Sequence, residues 1–584
     1  MVRPLSESLI CGVERPAMFK AGFLIFWMLA LAVLPAAAMD AAVEAADLVP
    51  ADFAGFIRLR VESNAALTLG NLNVSAALAA ELQPARVRLT QALTYDDLIP
   101  LNALFDVENA SFESVVLPWL GGEVVLAYRR FDAALKTEPD DVLLILPAAN
   151  LFQAAASLRP ILEAQDFPDR DAYRGVTLYR GDRSAVAFTS SAVLVGAEEV
   201  VRAALDVAAG EAEPLTAGPA FRAVQAAISP EAFLFAYTAG DYLPPALTGL
   251  ISGRVEAGPL FAALGGALRD AHGEPRLETL LLGGGFDGAA ISLEIDRDNA
   301  RYTAAAVFHP SETPKLNRQS TFDPALLDMI PRAALLVQRG DSLQTLAYDT
   351  LALLPLSNFG GQMIGGLPLT TAGGSSPQVL PPTAADLQSA VEGFFDGLRA
   401  AGGFDPRSSL LDYLPGGYAL ALLPRPNDPL PVLGVPFDLL LVAPAEGGEE
   451  AVDGARRLLE LAFGLQPVGE AGAPFVRLGR GQTPIFEIGV VDGVLIVATG
   501  DAAQRALAAR RGDNRLVDQP GWLALNTPEA PGLYLDSAVF FNTFFPTPGG
   551  RVPGENERVR LGLWSGQRDD DLFELRLVVA LPTQ

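Results

Sequence analysis

Asp141-Val142-Leu143-Leu144-Ile145-Leu146-Pro147 comes back later in the chain as Asp438-Leu439-Leu440-Leu441-Val442-Ala443-Pro444. Each is an apolar run between an aspartate and a proline, too short for a helix, and predicts a buried strand. The correspondence extends to both sides of these runs. Residues 119–127, Trp-Leu-Gly-Gly-Glu-Val-Val-Leu-Ala, match 413–421, Tyr-Leu-Pro-Gly-Gly-Tyr-Ala-Leu-Ala. Val193-Leu194-Val195-Gly196 matches Leu495-Ile496-Val497-Ala498, and both run into a segment ending in Ala-Leu, at 204–205 and 506–507. Pro219-Ala220-Phe221 matches Pro520-Gly521-Trp522, and Val49-Pro50 matches Ile330-Pro331. The spacing drifts from 281 residues (Pro50 to Pro331) to 302 (Val193 to Leu495), the drift that loop insertions produce in a repeat.

The predicted element order is the same in both parts. After the apolar run comes a helix, over 151–163 and over 449–463, the latter with an apolar face of Leu458, Leu459, Leu461 and Ala462. Short strands follow at 176–179, 185–189 and 193–195, and at 475–478, 485–490 and 494–497, with Asp492-Gly493 as a hairpin turn. A second helix starts near Glu198-Glu199 or Asp501, where carboxylates offset exposed N–H groups. Strands at 233–237 and 533–535 come next. Closing strands are expected at 280–282, 290–295 and 301–308, and at 573–579, where Glu574 and Arg576 alternate with apolar residues as a wet face.

The fold class expected is therefore α+β: a tandem duplication of one unit, each a largely antiparallel sheet with helices packed on one side. The element order also allows a ferredoxin-like split core. The predicted boundaries are 39–315 for the first unit and 316–584 for the second, with a linker near 310–322. Residues 373–382 are a flexible loop inside the second unit, before a helix over 384–398.

Half of the 584 residues are apolar and 19% are charged, enough for large cores, and the formal charge is −27. A negative field of that size repels phosphate backbones and argues against nucleic-acid binding. After Lys20 the only lysines are Lys136 and Lys315, an arginine bias read as genome composition. Cys11 is the sole cysteine, so the chain beyond it has no thiolate nucleophile, Cys-bound metal or disulfide.

Lys20 precedes an apolar run over 21–34, Pro35 breaks it, and Ala36-Ala37-Ala38 offers a small-residue cleavage site. This is the order of a secretory signal, assigned to 1–38, and translation from Met18 would give it a conventional start. The run is shorter than the ~20 residues a spanning helix needs. Export to the cell envelope or beyond is expected, with membrane contact only through an uncleaved leader.

The run 192–205, Ala-Val-Leu-Val-Gly-Ala-Glu-Glu-Val-Val-Arg-Ala-Ala-Leu, followed by Pro219-Ala220-Phe221, resembles the hallmark of a bacterial family, domain of unknown function 3352. Residues 119–124 resemble its other recurrent segment, and Val49-Pro50-Ala51-Asp52 its opening. The second part departs from the pattern: Gly417 replaces the counterpart of Glu123, and Pro415 interrupts the glycine pair. The resemblance implies an exported envelope protein and supplies no catalytic residue, ligand or partner.

No site is assigned from sequence: catalytic residues are unknown, and no cofactor or metal is expected. His272 and His309 are not paired at ligand spacing. No Gly-x-Ser-x-Gly or Ser-x-x-Lys pattern supports serine hydrolysis. The glycine-rich stretch 283–288 leads into a predicted strand, whereas a phosphate cradle needs a helix there. Asp106 with Glu113, and Asp405 with Asp412, flank the matched Gly-Gly motifs and read as loop and cap residues. Asp296, Asp298 and Asn299, like Asp569 to Asp571, sit in predicted turns without the EF-hand pattern. Three functions follow in order: a non-catalytic envelope or extracellular protein binding an unknown protein or ligand, an apolar-ligand or lipid carrier, and an extracellular hydrolase using paired carboxylates.

Overall fold

The structure is a computed structural model. It describes residues 45–61, 112–130, 139–164, 167, 169–181, 184–240, 286–296, 301–311, 322–340, 342–343, 393, 395–400, 402–425, 436–469, 475–523, 525, 532–536, 539, 558–569 and 572–580. The leader, His272, Asp106, Asp298, Asn299, the strand expected at 280–282, glycines 283–285 and the loop 373–382 lie outside the described residues.

The first part contributes β1 (Gly55–Arg60), β2 (Glu123–Tyr128), β3 (Val142–Pro147), β4 (Asp169–Tyr173), β5 (Val176–Arg180), β6 (Ala185–Phe188), β7 (Ala192–Gly196), β8 (Leu234–Ala239), β9 (Phe286–Asp296) and β10 (Arg301–Pro310). The second contributes β11 (Leu336–Gly340), β12 (Tyr418–Pro424), β13 (Phe437–Pro444), β14 (Gln466–Pro467), β15 (Val476–Arg480), β16 (Thr483–Val491), β17 (Val494–Thr499), β18 (Leu533–Asp536), β19 (Arg560–Asp569) and β20 (Leu572–Ala580). All pairings are antiparallel. From one edge they run β4-β5-β6-β7-β3-β2-β1-β8-β9-β10. From the other edge they run β14-β15-β16-β17-β13-β12-β11-β18-β19-β20. The inner strands β10 and β20 pair with each other, so the described strands form one continuous sheet that reads the same from either end.

The registers agree as well as the order. Leu143 lies opposite Gly196, and Leu440, its match in sequence, lies opposite Ala498, the match of Gly196. Val125 faces Ile145, and their matches Ala419 and Val442 face each other. Phe221 stands edge-on to Tyr237 at 5.0 Å between ring centroids, and Trp522 leans on Tyr534 at 5.2 Å.

Helices cover both faces of the sheet, which corrects the expectation of helices on one side. Leu144 and Leu146 of β3 pack with Ala154, Leu158 and Leu162 of the helix Leu151–Ala164. Leu143 and Ile145 point the other way, into a core with Val200, Val201, Ala204 and Leu205 of the helix Glu198–Ala208 and Phe221 and Val224 of the helix Pro219–Ala226. The second part repeats this. The helix Gly448–Phe463 covers Tyr418 and Leu420, while Ala502, Ala503 and Ala506 of the helix Ala502–Arg510 cover Leu440 and Val442. The cause is visible in the strands themselves. Successive side chains point to opposite faces, and Leu143 to Leu146 are all fully buried, so each face needs its own cover.

The helix starts also refine the reading. Glu198 and Glu199 occupy the first turn, and Asp501 caps Ala502–Arg510 by position, yet none makes a side-chain cap bond. Glu198 holds Arg202 at 2.7 Å, Glu199 holds Arg129 at 2.6 Å and Asp501 holds Arg505 at 2.7 Å. Among the described residues no helix is long and apolar enough to cross a membrane.

Candidate functional site

The groove of interest lies where the two parts join. Strands β9, β10, β20 and β19 run side by side there, and alternation brings every second residue of each strand to one face. Ser292, Ala305, Arg576 and Trp564 form one row across the four strands. Glu294, Thr303, Val578 and Gly562 form the next. One wall is the end of the helix Pro219–Ala226 with Ile228 and Ser229, and the other carries Leu525. The cavity between them holds about 350 Å³. A neighbouring cavity of about 360 Å³, with Arg58, Phe56 and Phe235 in its lining, shares Ala226, Ile228 and Ser229 of that wall. The first is at the small end for a ligand site, which typically spans ~300–1,000 Å³.

The floor is polar. Glu574 accepts from Arg576 Nε at 2.8 Å and lies 2.6 Å from its Nη2. Arg301 Nη1 reaches the Leu525 carbonyl at 3.4 Å. Burial pushes the Glu294 carboxyl above the ordinary glutamate range, while the Arg576 and Arg301 guanidinia pull it partway back. Ser292 is 1% exposed, and its hydroxyl has no hydrogen-bond partner. Buried hydroxyls are rarely left unbonded, so this one calls for an explanation.

The second part does not repeat the opening. On β19 the Trp564 indole lies across Gly562, where a Cβ would come within 2.4 Å of the ring. Only glycine leaves room for it. Trp564 and Leu525 belong to the buried core on that side.

None of these groove residues was singled out from sequence. Glu574 and Arg576 were read as a solvated strand face, and Ser292 and Glu294 sit in an ordinary alternating strand, so only the β10–β20 pairing gathers them. The residues that sequence did flag do not converge. Asp405 caps the short helix Pro406–Ser409 by accepting from Arg407 N at 3.1 Å, and Asp412 sits in the next turn. Glu113 lies in the turn Phe112–Val115. His309 is the last residue but one of β10, with Nδ1 3.6 Å from Asp287 Oδ2. Gly288 and Asp287 are already in β9, so the glycine-rich stretch opens a strand. Asp296 and Asp569 end β9 and β19. Among the described residues no group of three or more His, Cys, Asp or Glu could hold a metal ion.

A second polar cluster is structural. Asp438, 1% exposed, accepts from Arg425 at 3.0 Å, Arg505 at 2.7 Å and Thr499 at 3.3 Å. Its match Asp141 accepts from Arg130 at 3.2 Å, and that side chain is 68% exposed.

No curated protein is significantly similar to the chain. Among solved structures, crystal form I of TP0453 aligns at 10% identity and a TM-score of 0.24, over 47% of this chain and 81% of that one. Crystal form III of the same protein aligns at 10% identity and 0.22, over 49% and 85%. Likeness at that level carries no argument about fold or function. The family model described as "Protein of unknown function (DUF3352)" matches residues 18–463. The chain belongs to the DUF3352 family.

Proposed function

We propose that this chain is an exported, non-catalytic binding protein of the cell envelope or extracellular space, built by tandem duplication of one α+β unit, with the groove at the β10–β20 junction as its ligand seat. The observation that carries the binding reading is the buried, unbonded Ser292 hydroxyl beside Glu294 in that groove. Matched segments that share both strand order and register support duplication. The signal-like order of residues 20–38 supports export.

The charged lining favours a polar ligand over an apolar or lipid cargo, because a buried charge facing hydrocarbon goes unsolvated. Paired-carboxylate hydrolysis is less favoured. The other carboxylate of the lining, Glu574, is held by Arg576 at 2.8 Å and would have to break that pair to reach a substrate.

The test uses protein recovered from outside the cytoplasm. N-terminal sequencing near residue 39, and a small polar ligand retained in native mass spectrometry but lost on Ala305→Trp, are the expected results. A start well before residue 39 would contradict cleavage. Turnover of glycan, ester or peptide libraries would overturn the non-catalytic reading.

A further inference from the structure

The geometry points to Ser292 and Glu294 as a subsite for a primary ammonium group, so that the ligand of the junction groove is a small organic amine; this rests on the groove being the ligand seat proposed above. The two residues share one face of β9, about 6.6 Å apart along the strand, and both line the cavity.

What the groove leaves unmet decides the chemistry. Arg576 is bonded to Glu574, and Arg301 reaches the Leu525 carbonyl. Ser292 Oγ has no partner, and among the described residues Glu294 makes no hydrogen bond or ion pair within 4.0 Å. A carboxylate accepts only, and a hydroxyl can accept, so Ser292 and Glu294 together call for a donor, whereas the buried Nε of Arg301, which makes no hydrogen bond, would take an acceptor elsewhere in the groove. An ammonium brings three donors on a compact charged centre.

Charge balance agrees. The groups acting on Glu294 are Arg301 and Arg576, against Glu231 and Glu574. With Glu294 ionised there are three negative charges to two positive, and one further cation neutralises the set. Burial holds the Glu294 carboxyl up, which an entering cation would reverse. An anion would meet an unpaired carboxylate instead.

The cavity also bounds size and number. About 350 Å³ takes a ligand on the order of ten water volumes, hence an amine of a few carbons. On β19 the corresponding face carries Trp564 folded over Gly562, so among the described residues the junction offers one such subsite.

The experiment is isothermal titration calorimetry of residues 39–584 at low salt with three probes of one length: butane-1,4-diamine, butane-1,4-diol and butanedioate. The variants are Glu294→Gln, Ser292→Ala and the groove-filling Ala305→Trp. Only the diamine should bind, once per chain, with affinity falling about tenfold or more in Glu294→Gln and in Ser292→Ala. Both changes are near-isosteric, so they report even if Ala305→Trp does not fold. Absent diamine binding, diamine binding unchanged in both near-isosteric variants, or equal binding of the diol or the dianion would overturn the ammonium assignment. If the diol or dianion binds and Ala305→Trp abolishes it, the groove stands as the ligand seat with the wrong chemistry. Binding that a folded Ala305→Trp leaves intact would remove the groove itself.

Discussion

Ala305 and Arg576 lie directly opposite one another across the β10–β20 pair. Ala305 faces Ser292 on its other side, and Arg576 faces Trp564. One row of four residues thus crosses from one part of the chain to the other. It changes along the way from a small open side, Ser292 and Ala305, to a filled one, Arg576 and Trp564. The groove exists because the two ends of this row differ.

Trp564→Ala should destabilise the protein by about 3–5 kcal/mol, the usual cost of emptying a buried indole site. Gly562 leaves no side chain to collapse into the space. Urea unfolding followed by circular dichroism measures it, and a cost below about 1 kcal/mol would mean the indole is not packed as described.

Asp438 and Asp141 match in sequence but should differ in cost. Asp438→Asn removes a buried charge from two guanidinia and should cost about 3–5 kcal/mol. Asp141→Asn loosens a pair whose arginine is mostly exposed, worth at most about 1 kcal/mol. Equal unfolding midpoints for the two variants would contradict the burial difference.

Glu294→Gln should change how stability depends on pH. The folded protein holds this carboxyl above its unfolded range, so it binds the proton more tightly than the unfolded chain does. Wild type therefore loses stability relative to the variant as pH rises from the ordinary glutamate range through the raised folded value. Above that value the deficit is constant. Arg301, Arg576, Glu231 and Glu574 are the charges acting on it. Thermal melts at stepped pH check this, and a wild type that gains on the variant with rising pH would reverse the sign.

Much of the fold was legible because local chemistry marks it. The runs at Asp141 and Asp438 became β3 and β13, and Asp492-Gly493, both with positive φ, turns β16 into β17. The helices expected over 151–163 and 449–463 formed within a residue of their predicted ends. The edge strand β4, Asp-Arg-Asp-Ala-Tyr, was hidden by charges that suit an unpaired edge and spoil the apolar pattern. Gly562 and Gly566 hid β19 in the same way. The cover on both faces and the β10–β20 pairing leave no local signal, because each depends on segments far apart in the chain. The groove was missed for that reason: Glu574 and Arg576 looked solvated until β10 was laid beside them.

The groove exists only if β10 and β20 pair in this register. The direct measurement is disulfide formation in a Cys11→Ser chain carrying Ala305→Cys and Arg576→Cys, since Cys11 is the only native cysteine. Residues directly opposite in an antiparallel pair have Cα atoms about 4.5–5.5 Å apart, within disulfide reach. Mild oxidation should give one intramolecular bridge seen as a mobility shift without reductant. Ala305→Cys with Ala580→Cys, four residues along the same strand, should give none. No bridge in the first pair, or equal bridging in both, would contradict the junction on which the groove depends.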